Sequence, residues 1–209
     1  MEQKEYWNKV SKTKQFSTPF QIEEFSKYVK KDDSILDVGC GYGRTLGLLK
    51  QEGFKNTIGI DFSEGMIERA KELNPDIDFR VMKDSKIDLP DNSVDSVILL
   101  AVLTCIIDDK EQERLIEEIY RVLKKDGIIY INDFLLNNDE RNLNRYNEFK
   151  DKYNKYGVFE LPEGAIVRHH TKEWIRELLK QFNEIIFEDV EYITMNGNKS
   201  NGFYYIGRK

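Results

Sequence analysis

Ile35-Leu36-Asp37-Val38-Gly39-Cys40-Gly41-Tyr42-Gly43-Arg44-Thr45-Leu46 is the stretch on which the reading of this chain turns. Ser34 to Val38 is a short run with the composition of a buried strand. Gly39, Gly41 and Gly43 follow at alternate positions, and Leu46, Leu48 and Leu49 then recur at helical spacing. The pattern predicts a strand, a tight glycine turn and a helix start. Backbone N–H groups are expected to point outward there, and the helix dipole favours a negative group. A residue without Cβ also lets a ligand approach the main chain closely. A dinucleotide fingerprint, G-x-G-x-x-G, would place its third glycine one residue later. Asp37, just before the turn, suits a cationic amino group and suits a pyrophosphate poorly.

Downstream, Thr57 to Asp61 has the pattern of a second strand ending in a carboxylate, a position from which an acid accepts hydrogen bonds from ribose hydroxyls. The first acid, the three glycines and the second acid together resemble the class I S-adenosylmethionine (SAM)-dependent methyltransferase family, whose first motif runs D-x-G-x-G-x-G. The resemblance covers about the whole chain and is most specific over Ile35 to Asp61. It implies an α/β fold: a three-layer Rossmann-like sandwich whose mostly parallel seven-stranded sheet ends in an antiparallel hairpin. The implied cofactor is SAM, with S-adenosylhomocysteine as product. In the site so implied, Asp37 and the backbone of Gly39, Gly41 and Gly43 surround the methionine part, and Asp61 holds the ribose. Phe62 and Met66 pack near the adenine, Asp84 and Ser85 bond its amino edge, and Ala101 sits against the sulfonium. An N-terminal helix carrying Tyr6 and Trp7 would cover the pocket, a role compatible with stapling the same rings onto the core. A helix or turn cap is the plain alternative for Asp61 and Asp84.

At 209 residues the chain is long enough for one well-buried α/β domain spanning residues 1–209. A net charge of −6 disfavours a nucleic-acid partner, which usually requires a basic stripe. The two cysteines, Cys40 and Cys105, have no metal-site spacing and give no disulfide framework, which fits a reducing, cytoplasmic setting. Met-Glu-Gln-Lys-Glu-Tyr-Trp opens the sequence without an apolar run, and no stretch approaches membrane-spanning length. No metal and no membrane association is expected; monomer and homodimer are both left open.

The remaining elements alternate. Thr18-Pro19 predicts a helix over Phe20 to Lys30, within an N-terminal flap of residues 1–31. Ser63 caps a helix over Glu64 to Leu73, which Asn74-Pro75 stops. Strands are expected at Ile77 to Met82, Val94 to Val102 and Gly127 to Phe134, with a helix over Lys110 to Lys124 whose terminal lysines complement the dipole. Residues 137–170 form a polar, lid-like insert: a short helix near Asp139 to Lys152, then an irregular loop broken by Gly157, Pro162 and Gly164. Thr171 caps a helix over Lys172 to Phe182. Two last strands, Ile185 to Met195 and Gly202 to Gly207, flank an Asn196-Gly197 hairpin signal.

In open α/β sheets the ligand lies outside the carboxyl ends of the strands. Methyl transfer from a sulfonium needs a positioned nucleophile and excluded water, and a general base is optional, so the family shares no catalytic residue. The run Leu-Leu-Ala-Val-Leu-Thr-Cys lacks the Asn/Asp-Pro-Pro-Tyr signature of adenine or glutamine N-methyltransferases. The insert supplies the candidate substrate contacts. His169 and His170 are either a general base or packing for the Thr171 helix. Arg168 can pair an anionic substrate group, Tyr156 and Thr104 can line the acceptor, and Arg141 and Arg145 are expected to be solvated surface charge. A small-molecule acceptor methylated at O, N or S fits a lidded site. A SAM-binding regulatory or partner protein without transfer stays open. An NAD-dependent oxidoreductase is disfavoured by the glycine spacing and by Asp37.

Overall fold

Ser34–Val38 forms β1, an inner strand of the structure, a computed structural model that describes residues 3–83, 86–194 and 197–209. The glycine turn leads into α3 (Arg44–Gln51), then β2 (Asn56–Asp61), α4 (Glu64–Leu73) and β3 (Asp78–Val81). β4 (Val94–Leu100), a 3-10 turn at Leu103–Cys105, α5 (Asp109–Val122) and β5 (Leu123–Phe134) follow. Among the described residues, seven strands join one sheet in the order β3-β2-β1-β4-β5-β9-β8, where β8 is Asn183–Ile193 and β9 is Lys199–Arg208. The first five are parallel, and β9 inserts antiparallel between β5 and β8. The sheet of the expected sandwich and its closing hairpin are both present. Asn196 of the hairpin signal lies outside the described residues.

Alternation along β1 makes the three layers. Leu36 and Val38 face one helical layer, where α5 buries Leu115, Ile116 and Ile119 and α7 (Lys172–Leu178) buries Ile175. Ile35 faces the other, where Leu46, Leu49, Ile67 and Ala70 from α3 and α4 meet Phe25 and Tyr130. Asp37 pairs in register with Gly59 of β2 and Ile98 of β4, so it stands where the strand order reverses. That reversal opens the crevice at the carboxyl ends of β1 and β4.

Three expectations need correction. The helix expected over Phe20 to Lys30 is one turn, α2 (Ile22–Phe25), because the chain then tightens into i→i−3 bonds from Lys27 N to Glu24 O and from Tyr28 N to Phe25 O. This keeps Phe20 and Phe25 edge-on to Tyr130, with ring centroids 4.9 and 5.9 Å away. The lysines at 124 and 125 do not end a helix; α5 stops at Val122, and Lys124 instead holds Asp95 at 2.8 Å. Asp95 also accepts a bond from Ser34 N at 2.9 Å, which fastens the starts of β1, β4 and β5. Finally, the insert is not irregular after its helix α6 (Glu140–Tyr153). Val158–Glu160 (β6) and Ile166–Arg168 (β7) form an antiparallel pair, closed by Leu161 N to Ala165 O at 2.7 Å and by Gly164 at φ +100°.

The N-terminal segment folds as α1 (Gln3–Val10) against the start of α4. Asn8 Oδ1 accepts from Ser63 Oγ at 2.7 Å and Gly65 N at 3.1 Å, while Arg69 donates to the carbonyls of Ser11 and Lys14. Among the described residues no helix is long and apolar enough to cross a membrane.

Gly43 sits at φ +78°, and a Cβ there would lie 2.6 Å from Phe79 Cζ. Gly43→Ala is therefore expected to lower the unfolding free energy by about 2 kcal/mol. Urea denaturation measures this, and an unchanged midpoint would refute it.

Candidate functional site

A cavity of about 830 Å³ opens where β1, β2 and β4 end. Asp37 lies at its floor. The carboxylate is 1% exposed, and neither oxygen has a hydrogen-bond partner among the described residues. Burial pushes its pKa up to about 8, with Asp61 adding to the rise and Arg44 opposing it. Arg44 lines the same cavity; it donates to Thr18 O, and its buried Nε has no acceptor. A buried ionisable group without a partner is costly. An acid and a base with open valences in one pocket match the ammonium and carboxylate of an amino acid.

The glycine turn does not form the outward N–H array expected of it. Gly39 N and Cys40 N both donate to Ile60 O, at 2.8 and 3.0 Å. Gly41 N donates to Asp61 Oδ2 at 2.9 Å, and Gly43 N to Cys40 O at 3.0 Å. The first three of these N–H groups tie the turn to β2 and the fourth closes the turn itself, so none is turned to a phosphate. What Gly39 contributes is room: at φ +71° its position carries no Cβ, which would stand 2.5 Å from Val102 Cγ2.

Asp61 is fixed by two bonds, Oδ2 from Gly41 N and Oδ1 from Ser63 N at 2.8 Å. Burial raises its pKa to about 6 against the pull of these bonds. Each oxygen keeps one lone pair for a ligand hydroxyl. Trp7, Phe62 and Met66 line the cavity with it. Trp7 belongs to a run of rings in which Tyr6–Trp7, Trp7–Phe16 and Phe16–Tyr42 centroids are 5.0, 6.0 and 5.0 Å apart. Ala101 lines the far end at φ +56°, a left-handed conformation that costs a non-glycine residue energy. Asp84 and Ser85 lie outside the described residues, and Gly43 is not part of the cavity wall.

The insert closes the other side, and its two histidines diverge. His169 lines the cavity. Its Nδ1 lies 2.6 Å from Tyr146 Oη and 3.2 Å from Asn137 Nδ2, both placed to donate, so the proton sits on Nε2. Burial, with Arg145 next, holds its pKa well below the ordinary imidazole range. His170 faces away: Gln112 Nε2 donates to its Nε2 at 2.9 Å, and its Nδ1 lies 3.3 Å from Phe134 O. Burial lowers its pKa to about 3. Thr104 lines the cavity and donates through Oγ1 to Arg168 O at 2.9 Å. Arg168 itself is outside the lining and pairs with Asp109 at 2.6 Å, and Tyr156 is 46% exposed and also outside it.

Sequence reasoning passed over three contributors, Arg44, Gln112 and Asp133, and assigned a fourth, Arg145, to the surface. Arg44 immediately follows the last motif glycine, a signal that was present. Gln112 donates to Leu103 O and Ile106 O and accepts from Trp174 Nε1 at 2.7 Å, joining the turn after β4 to α7. Asp133, fully buried, accepts from Phe134 N and Thr104 N, with Leu103 and Val102 N–H beside it. Arg145 is not solvated surface charge; it lines the cavity with its guanidinium 3.6 Å from the Phe159 ring centroid. Among the described residues no His/Cys/Asp/Glu group is arranged to hold a metal.

Known proteins resemble this chain in sequence and fold. Residues 36–131 match a family model described as a methyltransferase domain. The chain is 33% identical over 115 residues to the ubiquinone/menaquinone biosynthesis C-methyltransferase UbiE of Campylobacter jejuni, covering 52% of this chain and 48% of that protein. It is 30% identical over 111 residues to the human eEF1A lysine and N-terminal methyltransferase, covering 48% of this chain and 16% of that protein. It thus spans about half the length of these curated relatives, or less. A SAM-dependent methyltransferase from Methanosarcina mazei superposes with a TM-score of 0.85 at 29% identity, over 92% of this chain and 98% of that one.

The raised carboxyl pKa values have a consequence for the ligand-free protein. The unfolded value of an aspartate is 3.8, while Asp37, Asp61 and Asp133 stand at about 8, 6 and 7 in the fold. The native state therefore binds protons that the unfolded chain releases, so this stabilisation is full below the unfolded value and is lost as pH rises through the folded ones. Urea midpoints are expected to fall between about pH 5.5 and about pH 8.5, and Asp37→Asn is expected to remove part of the fall. A pH-independent midpoint over this range would contradict it.

Proposed function

We propose that the chain, whose residues 36–131 match a methyltransferase domain and which resembles a SAM-dependent methyltransferase along most of its length, transfers the methyl group of SAM to a small molecule enclosed beneath α1 and the insert. The observation that carries this reading is the open valence of Asp37 beside that of Arg44, with the half-satisfied Asp61 in the same cavity. Asp37 would take the α-ammonium, Arg44 the α-carboxylate and Asp61 the ribose hydroxyls. Trp7, Phe62 and Met66 would enclose the adenine side, and Ala101 would border the sulfur. When bound, SAM supplies a methyl group already activated by the sulfonium. The chain's task is then to orient an acceptor and exclude water.

Exclusion of water is the duty we assign to the flap and the insert. Lys14 reaches Glu163 at 3.1 Å, and Gln3 donates to Ile166 O, so two segments far apart in sequence meet over the cavity. Neither histidine supports a general-base role: His170 is turned away with both nitrogens engaged, and His169 accepts at Nδ1 while its Nε2 is protonated. An acceptor that is nucleophilic without deprotonation by the protein fits this lining. Such an acceptor includes activated carbon as well as nitrogen, oxygen and sulfur, so the expectation of a heteroatom is widened. The names of the C. jejuni and human relatives span both carbon and nitrogen methylation. A pyridine dinucleotide fits poorly, because the N–H groups of Gly39, Cys40, Gly41 and Gly43 are already bonded within the fold.

Calorimetry on the purified chain tests the cofactor. SAM and S-adenosylhomocysteine are expected to bind and NAD not to. Asp37→Asn and Asp61→Ala are each expected to weaken binding by about tenfold or more, as loss of one partner of a buried polar pair does. Affinity is expected to rise from about pH 6 to about pH 8, because an ammonium ligand binds the ionised form of Asp37. Silence with both adenosyl ligands would sink the reading.

A further inference from the structure

On the footing of the methyl-transfer reading, we propose that Arg145 is the anchor for a carboxylate on the acceptor, so that the substrate class is a monoanionic acid with an apolar or aromatic body. Arg145 projects from α6 into the cavity. Its guanidinium lies over Phe159, Nη2 donates to Asn142 Oδ1, and the buried Nε has no acceptor. No carboxylate lies within ion-pair distance of it among the described residues. Arg141, beside it on the cavity wall, is 3.7 Å from Asp139, and Lys14 is held by Glu163 and Tyr6. The acids around this cavity are otherwise engaged or peripheral: Glu163 and Glu64 are paired with lysines, and Glu111 is exposed at the rim. A half-buried arginine on the cavity wall, whose charge no carboxylate offsets among the described residues, calls for an anion.

The surroundings define what that anion is attached to. Phe159 stands between Arg145 on its face and His169 at its edge, the latter with centroids 4.9 Å apart at 89°. The His169 Nε2–H, fixed by the donors on Nδ1, is a neutral second donor on the same side. One uncompensated cation and one neutral donor match a singly charged carboxylate better than a doubly charged phosphate. Ile106, Phe134, Leu161, Ala165 and Val167 complete this end with apolar surface. A planar guanidinium stacked on Phe159 can pair a planar carboxylate in a geometry lysine does not reproduce.

The test uses the full chain saturated with S-adenosylhomocysteine and a panel of benzoate, cinnamate, 1-naphthoate and indole-3-acetate, each against its methyl ester and with phenyl phosphate as the dianion. Binding is read by calorimetry and by ligand-observed saturation-transfer NMR. At least one acid is expected to bind about tenfold tighter than its ester, and Arg145→Gln to abolish that preference without changing the affinity for S-adenosylhomocysteine. Arg145→Lys is expected to recover only part of it. Acids that bind no better than their esters, an Arg145→Gln protein that keeps the preference, or phenyl phosphate as the tightest probe would overturn the assignment. Failure of S-adenosylhomocysteine itself to bind would strike the cofactor reading instead, and the acid–ester comparison on the ligand-free chain then decides the role of Arg145.

Discussion

Asp37, next to last in the inner strand β1, is a buried carboxylate that no described residue satisfies, and the site is arranged around that cost. It stands at the strand-order reversal between β1 and β4, where helices on the two faces diverge and leave a crevice. Two more acids end neighbouring strands in comparable burial. Asp133 accepts from a fan of N–H groups at 102–104 and 134, and its duty is to hold the turn after β4. Asp61 accepts two N–H bonds and keeps lone pairs to spare. Asp37 accepts none. The number of valences left open grades these three acids from the structural Asp133 to Asp37, the one most in need of a ligand, although all three have raised pKa values.

A second constraint joins the insert to the sheet. The Leu135–His170 bridge makes the end of the insert continue as extended chain, so adjacent side chains point to opposite sides. His169 falls on the cavity side and His170 on the core side. His170 then enters a network in which Gln112 bonds the turn after β4 and also receives Trp174 Nε1, while Arg168 joins Asp109. This network fixes the position of Thr104 and, with it, the wall near Ala101. The residues that looked most reactive in the insert, His170 and Arg168, are thus occupied in holding its frame.

Most of the sheet was legible because its signals are local. Apolar runs, the glycine turn and the Asn-Gly pair each specify backbone through nearest neighbours, and the acids at strand ends follow from the same runs. The insert was not, because burial there is decided by what docks on what. Arg145 lies in a helix rich in Asn, Lys and Arg, and nothing within α6 shows that Phe159, fourteen residues on, will come beneath its guanidinium. Val158, Phe159, Ile166 and Val167 around Pro162-Glu163-Gly164 did carry a hairpin signal, diluted by polar neighbours. The outward N–H array failed for a different reason. Strand β2 runs alongside the turn, and its Ile60 carbonyl and Asp61 carboxylate take the donors that local geometry alone would leave free.

Four departures from good local practice share one place. Ala101 in the left-handed region, Asp37 without a donor, Arg44 and Arg145 with free nitrogens all border the same cavity. Scattered through the molecule, such features would only weaken the fold. Gathered here, the three unpaired groups would be relieved together under the proposed function, a zwitterionic ligand pairing Asp37 and Arg44 and an acidic acceptor pairing Arg145. Stability withheld from the empty protein would then return as binding free energy, favouring ligands that pair these groups over isosteres that leave any of them buried and unpaired.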